Sequence, residues 1–361
     1  MELQSERPAQ QLAASSSSSA VCVSSAPLWQ LHDSEGTDTR TKPTQRPMNQ
    51  CWINASITAL YACPWVRAHL RNMVALAEQT KHHNTVESRI YQDLRNLAVS
   101  PRDCKDRDAL QGSTQMRLAV TYAEAMRDSS SGQSFVPWLL WNQFYRNHGQ
   151  QDAQEFVQDL LGYTNAPNLF PVFCGRNDPD LICQNSACGE KTPVTGTEDF
   201  ITLPVDIKRQ ESLQGAMNAF LRDQEPITME GWSCPHCGVQ RHPRKQNRIT
   251  RYPAMLFVHL KRFQTIFRED QPGSYQEIYL NHHVLCEEEI KLNSITYRLR
   301  AKIYHQGNSL GSGHYYTVCR HEHATGNWWY YNDICRRVAR PEDERPSNAR
   351  VYLCFYERVT T

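Results

Sequence analysis

The feature that most constrains this chain is a change of period at Gly162. Before it, apolar residues recur at helical spacing; after it, they come in short β-branched and aromatic runs. Ile53, Ile57, Leu60 and Tyr61 fall on one helical face that Pro64 interrupts, and WVRAHLRNMVALAEQ continues as a second helical stretch. Residues 82 to 149 read as mostly helical and irregular. In QQDAQEFVQDLLGY, the residues Ala153, Phe156, Val157, Leu160 and Leu161 again share one face, which ends at Gly162. Beyond lie ITLPVDI, AMLFVHL, YRLRAKIY, HYYTVCR, NWWYYN and VYLCFYE, separated by turn chemistry. Helices first and strands later, without βαβ alternation, predict an α+β domain with an antiparallel sheet.

Residues 1 to 44 are rich in Ser, Gln, Pro and Thr, without the apolar periodicity that would offset the entropy of ordering, so a disordered tail is expected there. The domain proper is expected over residues 45–361. Lys plus Arg is 39 against 38 Asp plus Glu, a net charge of +1. That balance disfavours a nucleic-acid binder, including a zinc-ribbon one, and gives no pull toward an anionic membrane. No apolar run reaches the length of a span, and the N-terminus lacks the apolar core of a secretory signal. An intracellular protein, cytoplasmic or nuclear, is expected. The thirteen cysteines then read as reduced thiols, with Cys63, Cys319 and Cys354 as core residues.

Cys51 stands where the first helical pattern begins. A thiol at a helix N-terminus meets unpaired amides and the positive end of the dipole, which favours the thiolate. A plain buried cysteine fits the same position. His314 opens an aromatic strand after a loop with glycines at 307, 311 and 313. Placed at the mouth of a strand, an imidazole can reach a nucleophile across a cleft. A hairpin joining HYYTVCR to NWWYYN would set Asn332 or Asp333 beside His314, where an amide or carboxylate holds the tautomer and stabilises the charged ring. Each position alone has an ordinary structural explanation; the three in this order point to a cysteine protease.

Four segments then resemble the ubiquitin-specific protease family over about residues 45 to 357. NQCWINASITAL is similar to its cysteine box, usually Gly-Asn-Thr-Cys followed by an aromatic and an Asn. QQDAQEFVQDLL is close to its glutamine–aspartate box, YPAMLFVHLKRF to its Pro-x-x-Leu…Leu-Lys-Arg-Phe strand, and HQGNSLGSGHYYTVCR…NWWYYND to its histidine box. The resemblance implies a papain-like fold with a helical thumb, an antiparallel β palm and zinc-bearing β fingers at approximately residues 170–250. It implies a deubiquitinase in which Cys51 is the nucleophile, His314 the base and Asn332 its orienting partner, with Asp333 assisting. No cofactor is implied for catalysis. Ubiquitin and ubiquitinated proteins are the implied partners, met by a monomer. Asp152, with Gln151 and Glu155, is implied to bind the basic ubiquitin tail; acids there also cap a helix start. A protease for another ubiquitin-like modifier, or a catalytically weak ubiquitin-binding scaffold, are the alternative readings.

The chain departs from the family ahead of Cys51. Arg46 stands where an oxyanion Asn is usual, and Met48 where Gly is usual. Gln45, Asn49 and Gln50 are the remaining candidate donors, beside the Cys51 amide. Losing one oxyanion donor typically lowers a rate by roughly a hundred- to a thousandfold, so slow turnover is expected.

Cys183 and Cys188 bracket four residues, Cys234 and Cys237 bracket two, and each pair is followed by Gly. Two such pairs suit a tetrahedral structural Zn2+ in the ribbon manner, as the family often carries at its fingertips. His236 is then a bystander.

Overall fold

The structure is a computed structural model that describes residues 50–83, 85–99, 114–131, 139–140, 151–194, 196–267, 273–309, 312–320, 326–333 and 335–359. The segment 1–44 and the positions Gln45 and Asn49 lie outside them. Among the described residues no helix is long and apolar enough to cross a membrane.

The helix Cys51–Ala62 is buried along its whole length, its polar residues Asn54, Ser56 and Thr58 included. Pro64 does end it, but as the first residue of the next helix, Pro64–Gln79. There its missing N–H costs nothing and its fixed φ suits a helix start. The orphan carbonyls of the first helix are taken by buried Arg67, whose Nη1 donates to Tyr61 O at 2.8 Å and Ala62 O at 3.0 Å. Helices Val86–Val99 and Thr114–Ser131 complete this helical body. The helix Ala153–Leu161 buries its expected face, Ala153, Phe156, Val157, Leu160 and Leu161. Trp52 meets Phe156 edge to face with centroids 5.1 Å apart, which pins this helix to the first.

An eight-stranded sheet faces the helices. Its order runs Cys335–Val338, Trp328–Asn332, Ser312–Arg320, Ile295–Ser309, Arg350–Arg358, Met255–Leu260, Thr202–Val205, with Glu289–Leu292 also paired to Ile295–Ser309. All its pairs are antiparallel except one: Thr202–Val205 runs parallel to Met255–Leu260. The expectation of an antiparallel sheet is corrected at that edge. A parallel pair needs a long crossover, and here the crossover is the helix Leu213–Leu221 together with strands of the smaller sheets.

The central strands are apolar in continuous runs because both faces are covered. Met255, Phe257, Ala301, Ile303, Cys319, Leu353 and Phe355 pack toward the helices, while Leu256, Val258, Leu299, Val318, Cys354 and Tyr356 pack into a second core. Register partners Phe257 and Phe355 stack at 4.5 Å.

Beyond the parallel edge stand a three-stranded sheet, Glu198–Phe200, Gly175–Asn177 and Ile249–Arg251, and a four-stranded one, Lys191–Pro193, Asp180–Ile182, Arg244–Gln246 and Asp223–Pro226. Both are antiparallel and short-stranded.

Candidate active site

Cys51 is the first residue of its helix, 4% exposed. Gln50 precedes it as the N-cap, without a side-chain cap, and its carbonyl takes the Asn54 N–H at 3.0 Å. No acid lies in the first turn, so the positive end of the dipole is not met by a carboxylate from the helix itself.

The strand Ser312–Arg320 packs directly against this helix. Thr317 Oγ1 donates to Ala55 O at 2.8 Å, a buried bond that fixes strand to helix. His314 lies near the start of that strand, close enough to Cys51 for the thiol to bear on its proton affinity. The ladder to Trp328–Asn332 runs from Arg320↔Trp328 to Thr317↔Tyr331, so His314 projects past its end. There its Nε2 lies 2.6 Å from Asn332 Oδ1. The amide oxygen accepts, which leaves Nδ1 as the nitrogen that can give or take a proton. Asn332 Nδ2 in turn donates to Tyr330 Oη at 2.8 Å. Asp333 takes a left-handed backbone, φ 48°, which Asp tolerates better than most residues, and its Oδ2 lies 3.6 Å from His314 Nε2. Burial alone would pull the imidazole down. The nearby Cys51 side chain and its charge, the Asn332 bond and the Asp333 charge outweigh it and push His314 up to about 9. At neutral pH the imidazolium, the partner a thiolate needs, is favoured.

Two other histidines move the opposite way. Burial and then the nearby His314 charge hold His305 down at about 4; burial and the Lys261 charge hold His259 at about 4. In the unfolded chain both titrate near 6.5, so between those values the unfolded state binds more protons. Their stabilisation is therefore complete above about pH 6.5 and is lost as pH falls toward 4. For fully buried His305 the full shift corresponds to ~3 kcal/mol. His314, being raised, contributes stability below about pH 6.5 that fades as pH rises through 9. Unfolding free energy measured by urea titration is expected to fall between pH 6.5 and 4, and to fall less in His305→Gln. An identical acid limb in both proteins would refute the assignment to His305.

Asp152 is the N-cap of Ala153–Leu161: Oδ1 accepts from the Gln154 N–H at 2.7 Å, and Oδ2 from Tyr352 Oη at 2.7 Å. Burial pushes its carboxyl up against the pull of those donors. Gln151 is half-buried and Glu155 exposed beside it. Of the oxyanion candidates, Gln50 is buried at the helix start.

Sequence reasoning passed over Asn54 and His305. Asn54 Nδ2 donates to Asp333 Oδ1 at 2.9 Å; its signal was available, since it stands one helical turn after Cys51. His305 is fully buried beneath the glycine before His314. Nothing local in the sequence signals that.

Away from this site, the Sγ atoms of Cys183, Cys188, Cys234 and Cys237 lie within 4.8 Å of one another and could hold a metal ion. Cys183 Sγ is 3.7 Å from Cys237 Sγ, and Cys188 Sγ 3.8 Å from Cys234 Sγ. Gly189 and Gly238 take positive φ, 62° and 69°, just after each pair, and the Asn185 N–H points at Cys183 Sγ from 3.4 Å. His236 is exposed and outside the cluster.

Residues 45–356 match the family model described as ubiquitin carboxyl-terminal hydrolase. The human protein named ubiquitin carboxyl-terminal hydrolase 3 is 28% identical over 272 residues, covering 62% of this chain and 51% of its own length. Ubiquitin carboxyl-terminal hydrolase 8 of Saccharomyces cerevisiae is 25% identical over 281 residues, 66% of this chain and 57% of its own. The chain thus spans about half the length of these relatives. Among solved structures, a chain of the SAGA Ubp8/Sgf11/Sus1/Sgf73 DUB module bound to ubiquitin aldehyde superposes with a TM-score of 0.62 at 18% identity. That match covers 93% of this chain and 70% of the other, and it shows a shared fold.

Proposed function

Because the chain belongs to the ubiquitin carboxyl-terminal hydrolase family, we propose that it is a thiol-dependent deubiquitinase that cuts the isopeptide or peptide bond after the ubiquitin C-terminus. The observation that carries the reading is His314 held between the Cys51 thiol and Asn332, 2.6 Å from the latter.

In this reading Cys51 Sγ bonds to the carbonyl carbon of ubiquitin's last residue, and the C=O electron pair moves onto oxygen. Its return breaks the C–N bond, and the amine leaves with the proton held on His314. The neutral imidazole then takes a proton from water, which attacks the thioester and releases the Cys51 thiolate. Asn332 fixes the tautomer, and Asp333 stabilises the imidazolium. The Cys51 amide serves the oxyanion, with Gln50, Gln45 or Asn49 as a side-chain donor. Asp152, held by Tyr352, with Gln151 and Glu155 alongside, meets the basic ubiquitin tail while also capping its helix.

The four-cysteine cluster suits a structural Zn2+. Tetrahedral zinc with Zn–S bonds of about 2.3 Å sets sulfurs ~3.8 Å apart, and two of the sulfur pairs stand at 3.7 and 3.8 Å. Such an ion would tie the fingertip together and take no part in the reaction.

The test is to react the protein with ubiquitin, and with other ubiquitin-like modifiers, bearing a C-terminal electrophile. A covalent ubiquitin adduct is expected, and none in Cys51→Ala. An adduct formed only with another modifier would replace the substrate. Ubiquitin binding without any adduct would leave a scaffold rather than an enzyme.

A further inference from the structure

We propose that Asn54 is a positioning residue for the reaction: it clasps Asp333 to the nucleophile's own helix, so that a hydrogen bond across the cleft holds the carboxylate beside the His314 imidazole and helps set its distance from Cys51. The proposal deepens the catalytic reading of Cys51 and His314 and rests on it.

The geometry divides the work on the imidazole between two neighbours. Asn332 lies within hydrogen-bond distance of Nε2, at 2.6 Å. Asp333 lies 3.6 Å away, close enough for its charge to act but too far to orient the ring by a hydrogen bond. Something else must therefore hold the carboxylate in place. Its other oxygen accepts from Asn54 Nδ2 at 2.9 Å, between residues 279 apart in sequence. Asn54 is 3% exposed and sits one turn along the helix that begins with Cys51; the Asp333 side chain is 8% exposed. A bond to a carboxylate in such surroundings is stronger than one between neutral groups, and leaving either partner unpaired there is costly. Thr317 Oγ1 to Ala55 O, the next residue along, is a second tie between the same helix and the histidine strand. The two together fix both sides of the pair, the nucleophile through its helix and the base through its hairpin.

A cavity lined by Asn54, Thr58, Tyr331 and Asp333 backs this bond. Truncating the Asn54 amide would enlarge this space and remove the donor that holds the carboxylate beside the imidazole. The titratable groups around His314 are Cys51 from the helix, His305 from the adjoining strand and Asp333 from the hairpin. Of these, the clasp bears on Asp333 alone.

Asn54→Ala, the nearly isosteric Asp333→Asn and the double variant test the proposal. The first readout is kcat and KM on a ubiquitin substrate. The second is the pH profile of Cys51 alkylation by iodoacetamide, followed by mass, which reads the thiolate–imidazolium pair without ubiquitin. Asn54→Ala is expected to lower kcat by about ten- to a hundredfold with KM little changed. It is also expected to lower the alkaline pKa of the alkylation profile by about one unit. Asp333→Asn should reproduce that shift, and the double variant should be no worse than the worse single. An unshifted profile with only a lower melting temperature would make the bond purely structural, and additive losses would break the link between the two residues. If the wild-type protein never reacts with ubiquitin probes, the deubiquitinase reading fails while the alkylation profile still decides the clasp.

Discussion

Gly313→Ala is expected to lower kcat/KM by at least about a hundredfold, with a fall in melting temperature. A Cβ at this position would stand 2.4 Å from His305 Nε2 and 2.6 Å from the Gln306 carbonyl oxygen, on a backbone with φ of 149° that side-chain-bearing residues rarely adopt. Gln306 is the register partner of His314. Pushing its carbonyl away from residue 313 opens the ladder at the base's own position. Gly307, on the facing strand, is also crowded: a Cβ there would meet Ser312 O at 2.8 Å. The two glycines let the strands approach closely enough for buried His305 to pack against both. His305→Ala in the same chain would remove the ring clash but leave the Gln306 oxygen, so the double variant should stay impaired. Steady-state kinetics on a ubiquitin substrate, beside thermal melting, check this; a Gly313→Ala protein of native rate would show that the strands relax without moving His314.

Much of the architecture was legible because it follows from local pattern. All six apolar or aromatic runs singled out beyond Gly162 form strands of the main sheet, and the faces containing Ile57 and Phe156 are buried in helices. Cys51 at a helix start and His314 near the start of a strand were legible for the same reason. The parallel pairing of Thr202–Val205 was not, because register and direction depend on where the crossover returns the chain rather than on any run of residues. Asp152 could be read as cap or as binding residue. Its two oxygens are now seen on the neighbouring Gln154 amide and on Tyr352, 200 residues away in sequence. The clasp from Asn54 to Asp333 and the packing of His305 under Gly313 are contacts of tertiary structure. A turn residue such as Asp333 gives no local sign that its carboxylate is held by another element.

Removing the proposed zinc from the four-cysteine cluster is expected to unfold the fingertip while leaving the palm intact. The four strands there are three or four residues long. Leu181, Ile182, Cys183 and Cys234 are buried, yet none belongs to either hydrophobic core. So small a sheet buries too little apolar surface to order itself. A metal joining the turn after Asp180–Ile182 to the loop before Arg244–Gln246 would supply the missing cross-link. Apparent binding free energies of structural zinc in small domains are about 10–16 kcal/mol, far above what these strands could contribute alone. One zinc per chain is therefore expected by elemental analysis of protein purified without added metal, and less in Cys234→Ser. After a strong chelator, amide exchange should accelerate across 180–193 and 223–246 while 295–309 and 350–358 stay protected. Alkylation of Cys51 should persist in the chelated protein, because the thiol and imidazole are held by the helix and the main sheet. A zinc-free protein whose fingertip amides exchange as slowly as before would mean that the four thiols pack as ordinary side chains.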